Sequence, residues 1–309
     1  MIKIINIQKS YSYPLIQLRG CVHRSIKTDK INVSIGSDTN CWPIIDNNFK
    51  ILIHLKNNFN QINVWIENQC NKRIAELKLN LIFKPNLNKK LIKIVYLVCD
   101  VCDGLETKLF ENGCFQSPES EDNSIGSAIN RIALNVLLSQ CFFAQTLPNY
   151  KTFELELNQN NYPKVHVFKL NETIDKIWSF DCYQLWSFVA KQIMNSVLAE
   201  NHCKYLAFCS FTRYSQNSNQ KFSKHFSNPF DDVKGYSALG GGGLALVGTA
   251  CLYTWATHLN DITHRFNDQR LVDKKYFMDD SLNRSDIDLL FPKLLYIKWI
   301  SYLKLLRTE

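Results

Sequence analysis

The sequence is poor in glycine and has no uninterrupted hydrophobic run long enough to cross a membrane. Only 11 of its 309 residues are glycine. The longest apolar stretch, residues 289–306, contains three lysines and a proline, which argues against a membrane-spanning helix. The first residues also lack the apolar segment and small-residue cleavage site of a secretory signal. We therefore expect a cytoplasmic protein with no membrane partner.

A disulfide framework is also missing. The eleven cysteines are odd in number, and four of them lie within apolar segments: Cys141, Cys182, Cys209 and Cys251. This pattern is typical of reduced thiols that pack as small hydrophobic side chains. Cys99 and Cys102 form a lone C-x-x-C at the end of an apolar segment, and no second copy completes a four-sulfur site. Packing is the expected role of this pair, with redox or partial zinc chemistry as the alternative.

The sequence contains none of the short motifs that bring catalytic groups together on one element. Its histidines are His23, His54, His166, His202, His225, His258 and His264. None is followed by glutamate and no two are four residues apart, which excludes a His-Glu-x-x-His helix. No Gly-x-Ser-x-Gly elbow occurs. The acidic pairs Asp231–Asp232 and Asp279–Asp280 are expected in solvated turns, while calcium binding, acid–base roles or a dispersed His/Asp site stay open.

The charge is positive but thinly spread. Lys+Arg number 36 and Asp+Glu 28, which gives 36 − 28 = +8. The excess occurs in pairs such as Lys89–Lys90 and Lys274–Lys275, without an arginine-rich stripe or zinc-finger spacing. We therefore expect no nucleic-acid partner.

Residues 1–88 consist of short extended segments separated by turn residues. Lys30 to Ile35 alternates polar and apolar side chains, and Gly36, Asn47–Asn48 and Asn57–Asn58 separate neighbouring segments. The expected strands are YPLIQLRGCVH, KINVSIG, CWPIID, FKILIHL, QINVWIE and RIAELKLNLIF. Six or seven strands in this length predict a β-sandwich-like domain over residues 1–88.

Residues 89–284 predict an α/β domain. A buried strand is expected at Leu91–Val101, followed by a helix over 124–147 with Ser124 as N-cap. The apolar residues of this helix, Ile125, Ile129, Ile132, Val136 and Cys141, fall near one face. Strands KTFELEL, KVHVFKL and CKYLAFCSFTRY then flank a helix DCYQLWSFVAKQIMNSVL, and Trp178, Phe180, Trp186 and Phe188 are expected to form a core stripe on it.

Four consecutive glycines precede the last predicted strand, Leu244 to Trp255. They do not form a P-loop, because Thr249 stands where the lysine is needed, and the Gly-x-Gly-x-x-Gly spacing also fails. Glycine permits positive φ angles and close approach of another chain, so an edge strand here can hold an extended peptide. The candidate substrate-binding residues are Gly240, Gly241, Gly242, Gly243 and Leu244. A flexible loop before a buried strand is the alternative.

Several stretches together resemble one protein family. They are LIKIVYLVCDV from residue 91, SPESEDNSIGSAINR over 117–131, KTFELEL from 151, KVHVF from 164, NHCKYLAFCSFTRY from 201, YSALGGGGLALVGTACLYTW from 236 and FNDQRLVDKKY from 266. Their order and spacing are similar to those of a family of eukaryotic zinc metallopeptidases whose yeast member has a lectin-like C-terminal domain. The resemblance implies a zincin-like mixed-sheet domain behind a β domain, zinc as cofactor, and peptide or protein substrates aligned antiparallel to an edge strand that the glycines shape.

The resemblance stops near residue 284. Family members continue into a helix bearing His-Glu-x-x-His, whereas residues 285–309 read SDIDLLFPKLLYIKWISYLKLLRTE. No catalytic or metal-binding residue is therefore transferred to this chain, and we predict an incomplete zincin-like domain over 89–284, an atypical tail, no bound zinc and no peptidase activity. We expect a truncated or misread gene product, or a shortened isoform. The alternatives are a non-catalytic module that binds peptides at its edge strand, and an unstable chain.

Overall fold

The computed structural model describes residues 1–26, 28–86, 91–100, 114–115, 122–147, 152–214, 233–234 and 240–248. The chain divides into two units. Of the described residues, the first unit comprises those within 1–86 and 133–163, and the second comprises those within 91–132 and 164–248. The acidic pairs, the tail 285–309, the cysteines Cys102 and Cys251, and His225, His258 and His264 lie outside the described residues.

Eight strands come from the first 83 residues. They are β1 (Ile2–Ile4), β2 (Ser10–Tyr11), β3 (Leu15–Val22), β4 (Lys30–Ile35), β5 (Asp38–Ile45), β6 (Asn48–His54), β7 (Asn58–Glu67) and β8 (Arg73–Phe83). They form one sheet in the order β1-β3-β6-β5-β4-β7-β8-β2. All neighbours are antiparallel except β2 and β8, which are parallel.

The side chains of this sheet follow the alternation of the sequence. In β4, Ile31 and Val33 are buried while Lys30 is exposed and Asn32 half-buried, so the alternation that predicted a strand also sets its inner face. Trp42 and Phe49 are among the largest fully buried side chains of the unit. The sequence prediction of strands over residues 1–88 is confirmed, although β1 and β2 were missed.

The rest of the chain mixes helices and strands. The elements are β9 (Leu91–Asp100), α1 (Ile125–Thr146), β10 (Glu154–Leu155), β11 (Val165–Thr173), α2 (Ile174–Trp178), α3 (Cys182–Met194), β12 (Lys204–Cys209), β13 (Arg213–Tyr214), β14 (Val233–Lys234), β15 (Gly240–Gly241) and β16 (Leu244–Gly248). The predicted mixed α and β composition is therefore correct. The predicted strand at 151–157 shortens to the two residues of β10.

In the second unit, five strands follow the order β11-β9-β12-β16-β15. The first four are mutually parallel, and β15 is antiparallel to β16. In β9, Ile92 and every residue from Ile94 to Val98 are buried and Lys93 is half-buried, as expected of a strand covered on both faces. The sheet is therefore mixed, with its antiparallel strand last in the order of the described strands.

Helices α2 and α3 pack on one face of this sheet. The apolar cluster formed there, called the α3 cluster below, contains Val95, Leu97, Leu170, Ile174, Ile177, Leu185, Val189, Ile193, Tyr205, Ala207, Cys209, Phe211, Leu244 and Leu246. Trp178, Phe180, Trp186 and Phe188 are half-buried against it. They line the core as expected, but they do not all lie on one helix. Trp178 ends α2, Phe180 lies between the two helices, and Trp186 and Phe188 lie within α3.

Helix α1 begins as the sequence predicts. The Ser124 hydroxyl accepts a hydrogen bond from the Ser127 amide at 3.2 Å, which is N-cap geometry. The expected single buried face is wrong, because every residue from 131 to 141 is buried. Arg131 is among them, and its Nε donates to the Ser127 hydroxyl at 3.0 Å. The boundary between the two units falls within this helix, after Ile132.

Candidate functional site

The four glycines form a tight β-hairpin at the end of the second unit's sheet. Gly240 and Gly241 make up β15, and β16 begins at Leu244, so the loop between the strands is the pair Gly242–Gly243. Gly240 pairs with Ala245, and Gly241 pairs with Leu244. The glycine block is therefore a defined strand and turn. The residues 249–255 of the predicted strand lie outside the described residues.

Backbone conformation explains why this turn contains glycine. Gly242 has a φ of 51° and Gly243 a φ of 89°. Positive φ at both central residues is the pattern of a type I′ turn, which matches the twist of a two-residue hairpin. A Cβ at Gly242 would meet only the Trp186 ring at 3.6 Å, and one at Gly243 would meet nothing within 4 Å. Space is thus available, and the φ angles are what favour glycine.

The hairpin is anchored to the sheet through β16. Residues Leu244 to Gly248 are all buried and pair in parallel register with Tyr205 to Cys209 of β12. The Tyr205 amide donates to the Gly243 carbonyl oxygen at 2.8 Å, so the β12–β16 ladder begins at the turn itself. Leu244 and Leu246 belong to the α3 cluster. One side of the hairpin is therefore fixed by a buried strand, and β15 is the last described strand on the other side.

Helix α3 contacts the same hairpin through Trp186. The indole Nε1 donates to the Leu244 carbonyl oxygen at 3.1 Å. The start of α3 is held by a capping box: the Asp181 carboxylate accepts from the amides of Tyr183 and Gln184 at 2.8 Å, and the Gln184 side chain accepts from the Asp181 amide at 2.9 Å. Sequence reasoning assigned Trp186 to the core and did not connect it with the glycines.

The described histidines are scattered. His23 and His202 are exposed in loops, His166 is half-buried in β11, and His54 ends β6 in the first unit. His54 stacks on Tyr162 with ring centroids 4.5 Å apart and its Nε2 lies 3.1 Å from the Asn161 carbonyl oxygen. Burial holds the pKa of His54 below its ordinary value. This histidine is therefore a packed, hydrogen-bonded part of the first unit.

The described residues do not fit a metal ion. Within the ranges that the structure describes, no three His, Cys, Asp or Glu side chains lie close enough together to share one. A zinc site in a peptidase takes three protein ligands and leaves one position for water. No described group supplies such a donor set, so no chemical step is assigned to a metal here.

The buried cysteines behave as the sequence predicts only in part. Cys141 and Cys209 are buried, and burial raises the pKa of the Cys141 thiol to about 12 and that of Cys209 as well. Such thiols stay protonated near neutral pH and act as small apolar side chains. Cys182 is exposed at the start of α3, so its expected burial is wrong. Cys99 packs against the α3 cluster, in line with a packing role.

Comparison with protein families decides what kind of chain carries this hairpin. Residues 1–288 match the profile of "Metallopep: Putative peptidase family". The chain belongs to this family. The resemblance found in the sequence is therefore confirmed at the level of a metallopeptidase family, which has peptide or protein substrates. The family name implies a metal, although the described residues do not present a site for one.

Other comparisons add little. No curated protein matches the chain. A solved structure of a polysaccharide deacetylase from Bacillus cereus is similar at 10% sequence identity and a TM-score of 0.21, covering 67% of this chain and 69% of that chain. A likeness this low carries no argument about fold or function. Within the described residues, no helix is both long and apolar enough to span a bilayer.

Proposed function

We propose that this chain holds an extended peptide along the glycine edge of its mixed sheet, as the substrate-binding part of a zinc metallopeptidase fold. The observation that carries the proposal is the β15–β16 hairpin, where a strand of two glycines is the last described strand of the sheet. A strand edge binds an extended peptide through main-chain hydrogen bonds. Glycine adds no side chain that would hinder its approach. The substrate-binding residues are Gly240, Gly241, Gly242, Gly243 and Leu244.

The architecture supports a zincin-like domain over residues 89–284. The resemblance implies a mixed sheet whose edge strand aligns substrate antiparallel to itself. Four parallel strands followed by an antiparallel edge strand agree with that expectation.

We also propose a sandwich-like domain over 1–88 and a distinct segment at 285–309. Strand β5 supports the sandwich, because it pairs with β4 through Asp38–Pro43 and with β6 through Ile44–Ile45.

We further propose that the 309-residue chain binds peptides without hydrolysing them. Its sequence has no His-Glu-x-x-His, and the described residues form no alternative metal-binding group. Without a metal or a placed general base, water keeps its high pKa and is a poor nucleophile. The resemblance implies zinc as the cofactor of family members that carry His-Glu-x-x-His, and we propose no zinc for this chain. We infer a cytoplasmic location and no nucleic-acid partner, as the composition predicts.

Peptidase and binding assays on the full chain test both parts. We expect fluorescein-labelled oxidised insulin B chain, a disulfide-free peptide, to bind at a fixed stoichiometry and to remain intact with added zinc. Changing Gly241→Val together with Gly242→Val should abolish binding, because valine at a φ of 51° is strained. Gly242→Asn is the matched control, since asparagine tolerates that conformation. Unchanged affinity in the double variant contradicts the site, and chelator-sensitive cleavage contradicts the predicted inactivity.

The second candidate is a stand-alone peptide-binding module with no link to hydrolysis. The same hairpin favours it, together with the lack of a metal-binding group among the described residues. The two candidates differ in what they bind. The substrate-binding part of a peptidase fold should bind a peptide more weakly when residues on either side of the edge-binding segment are removed, whereas a dedicated module should require one sequence. A panel of scrambled B-chain peptides separates them.

A further inference from the structure

The indole of Trp186 joins helix α3 to the glycine hairpin by a hydrogen bond, and its ring lies next to the turn. Its Nε1 donates to the Leu244 carbonyl oxygen at 3.1 Å. Its six-membered ring lies beside the turn, with Cη2 and Cζ2 at 3.6 and 3.7 Å from the position a Gly242 Cβ would occupy. Trp186 therefore bonds the first residue of β16 and lies beside the first residue of the turn.

The bonded carbonyl lies on the side of β16 that faces the edge strand. In a parallel pair, alternate residues direct their amide and carbonyl groups toward the neighbouring strand. The Tyr205 amide of β12 bonds the Gly243 carbonyl, so the next residue, Leu244, directs its groups the other way, toward Gly241. The indole N–H thus donates at the boundary between β15 and β16. Its position there restrains the strand pair to which the edge strand belongs.

Glycine makes such an outside restraint necessary. The hairpin has four glycines in succession, and glycine has the largest backbone freedom of any residue. β15 has only two residues paired with β16, which is too few to hold an edge by itself. The rigid element nearby is α3, whose start is fixed by the capping box and whose inner side is buried in the α3 cluster.

We propose that Trp186 is a positioning residue, which fixes the glycine hairpin in the conformation that receives a peptide. This inference rests on the proposed function. Helix α3 fixes the position of the indole, and the indole adds a second restraint on the hairpin beside the β12–β16 ladder. A hairpin that is already ordered loses less conformational entropy when a peptide binds, so the contact increases affinity without touching the peptide.

Trp178 provides a matched control within the same cluster. It is also half-buried against the α3 cluster, and its Nε1 donates to a backbone carbonyl, that of Phe211, at 3.0 Å. Trp178→Phe and Trp186→Phe therefore remove the same chemical group from similar surroundings. Trp186→Phe removes the bond to Leu244 of the hairpin, whereas Trp178→Phe removes the bond to Phe211.

The test measures B-chain affinity, thermal midpoint and amide hydrogen exchange in full-length wild type and both variants. Because each variant loses one hydrogen bond, we expect similar drops in thermal midpoint. Trp186→Phe should weaken B-chain binding by about fivefold and speed amide exchange at 240–245 by a similar factor, the equivalent of one hydrogen bond. Trp178→Phe should leave both within about twofold.

Equal losses of affinity in the two variants would overturn the inference, because they would reflect a general loosening of the cluster. Unchanged exchange at 240–245 in Trp186→Phe would also overturn it. Exchange is measured without peptide, so this arm is independent of the proposed function. If wild type does not bind the B chain, the peptide-binding proposal fails, and the exchange result alone decides whether Trp186 positions the hairpin.

Discussion

Two glycines, one in each unit of the chain, are favoured for opposite reasons. In the first unit, Gly20 of β3 stands where a Cβ would collide with the Phe49 ring and with the Lys3 carbonyl oxygen. In the second unit, Gly243 has no atom within 4 Å of that position but has a φ of 89°. Gly20 is therefore favoured by close packing, whereas Gly243 is favoured by its backbone conformation.

The largest expected loss of stability is at Gly20, where close packing leaves no room for a side chain. Gly20→Val should lower the free energy of unfolding by about 3 kcal/mol, because valine must displace Phe49 or separate β1 from β3. Gly126→Ala in the exposed first turn of α1 is the control, since its nearest neighbour is the Ser124 hydroxyl at an ordinary 3.8 Å. Urea unfolding measures both. Equal stabilities for the two variants would mean that Gly20 is not crowded.

A smaller loss of stability is expected at Gly243, where the backbone conformation disfavours other residues. Gly243→Ala should cost about 1–2 kcal/mol, although the added methyl group touches nothing, because L-residues are strained at positive φ. Gly243→Asn should recover much of that loss, since asparagine adopts this region more readily. Thermal unfolding of the pair gives the difference. Identical midpoints for alanine and asparagine would show that the turn adopts another conformation in solution.

Helix α3 should affect the second unit selectively. Asp181→Ala removes the acceptor for two amides at the helix start and is expected to cost about 1 kcal/mol. Asp181→Ser restores an N-cap acceptor and is the control. Amide exchange should quicken in α3 and at the hairpin while residues 1–83 stay unchanged. Faster exchange spread evenly over both units would show that the N-cap of α3 does not act selectively on the second unit.

The smallest expected effect is on the pH dependence of stability, and it comes from His54 in the first unit. Because burial lowers the pKa of His54, the unfolded chain binds a proton at higher pH than the folded one. The stability that the neutral ring contributes is full above its unfolded pKa of about 6.5 and is lost as pH falls through the lower folded value. His54→Gln should therefore flatten the fall in stability between pH 7.5 and 5, measured by urea unfolding. An unaltered pH profile would exclude His54 as the group that titrates.

Local pattern explains what the sequence predicted. The alternation in Lys30–Ile35 and the apolar run at Leu91–Val101 identified strands β4 and β9, because side-chain burial in a strand repeats every second residue or is continuous when both faces are covered. Ser124 and the following residues identified the start of α1. These elements carry their own signal, whereas the two-residue strands β2, β10 and β15 are set by their pairing partners and were missed or misjudged.

The hairpin was only half predictable. Four glycines indicate positive φ, which the structure has at Gly242 and Gly243. They do not indicate which residues pair across the turn, since glycine has no side chain to define a register. The contact of Trp186 with Leu244 joins residues 58 positions apart, and an aromatic residue at helical spacing predicts core packing in any case. The sequence did offer one signal, because the N–H of a buried tryptophan ring usually donates to an acceptor. This signal predicts that Trp186 has a hydrogen-bond partner but does not identify Leu244.

Amide hydrogen exchange on the intact chain, with and without oxidised insulin B chain, tests the peptide-binding edge most directly. We expect the B chain to slow exchange at Gly240–Leu244 and to leave the strands of the first unit unchanged, because main-chain pairing at the edge shields amides there. Bound peptide with no added protection at 240–244, or protection confined to the first unit, would show that the peptide does not bind at this edge.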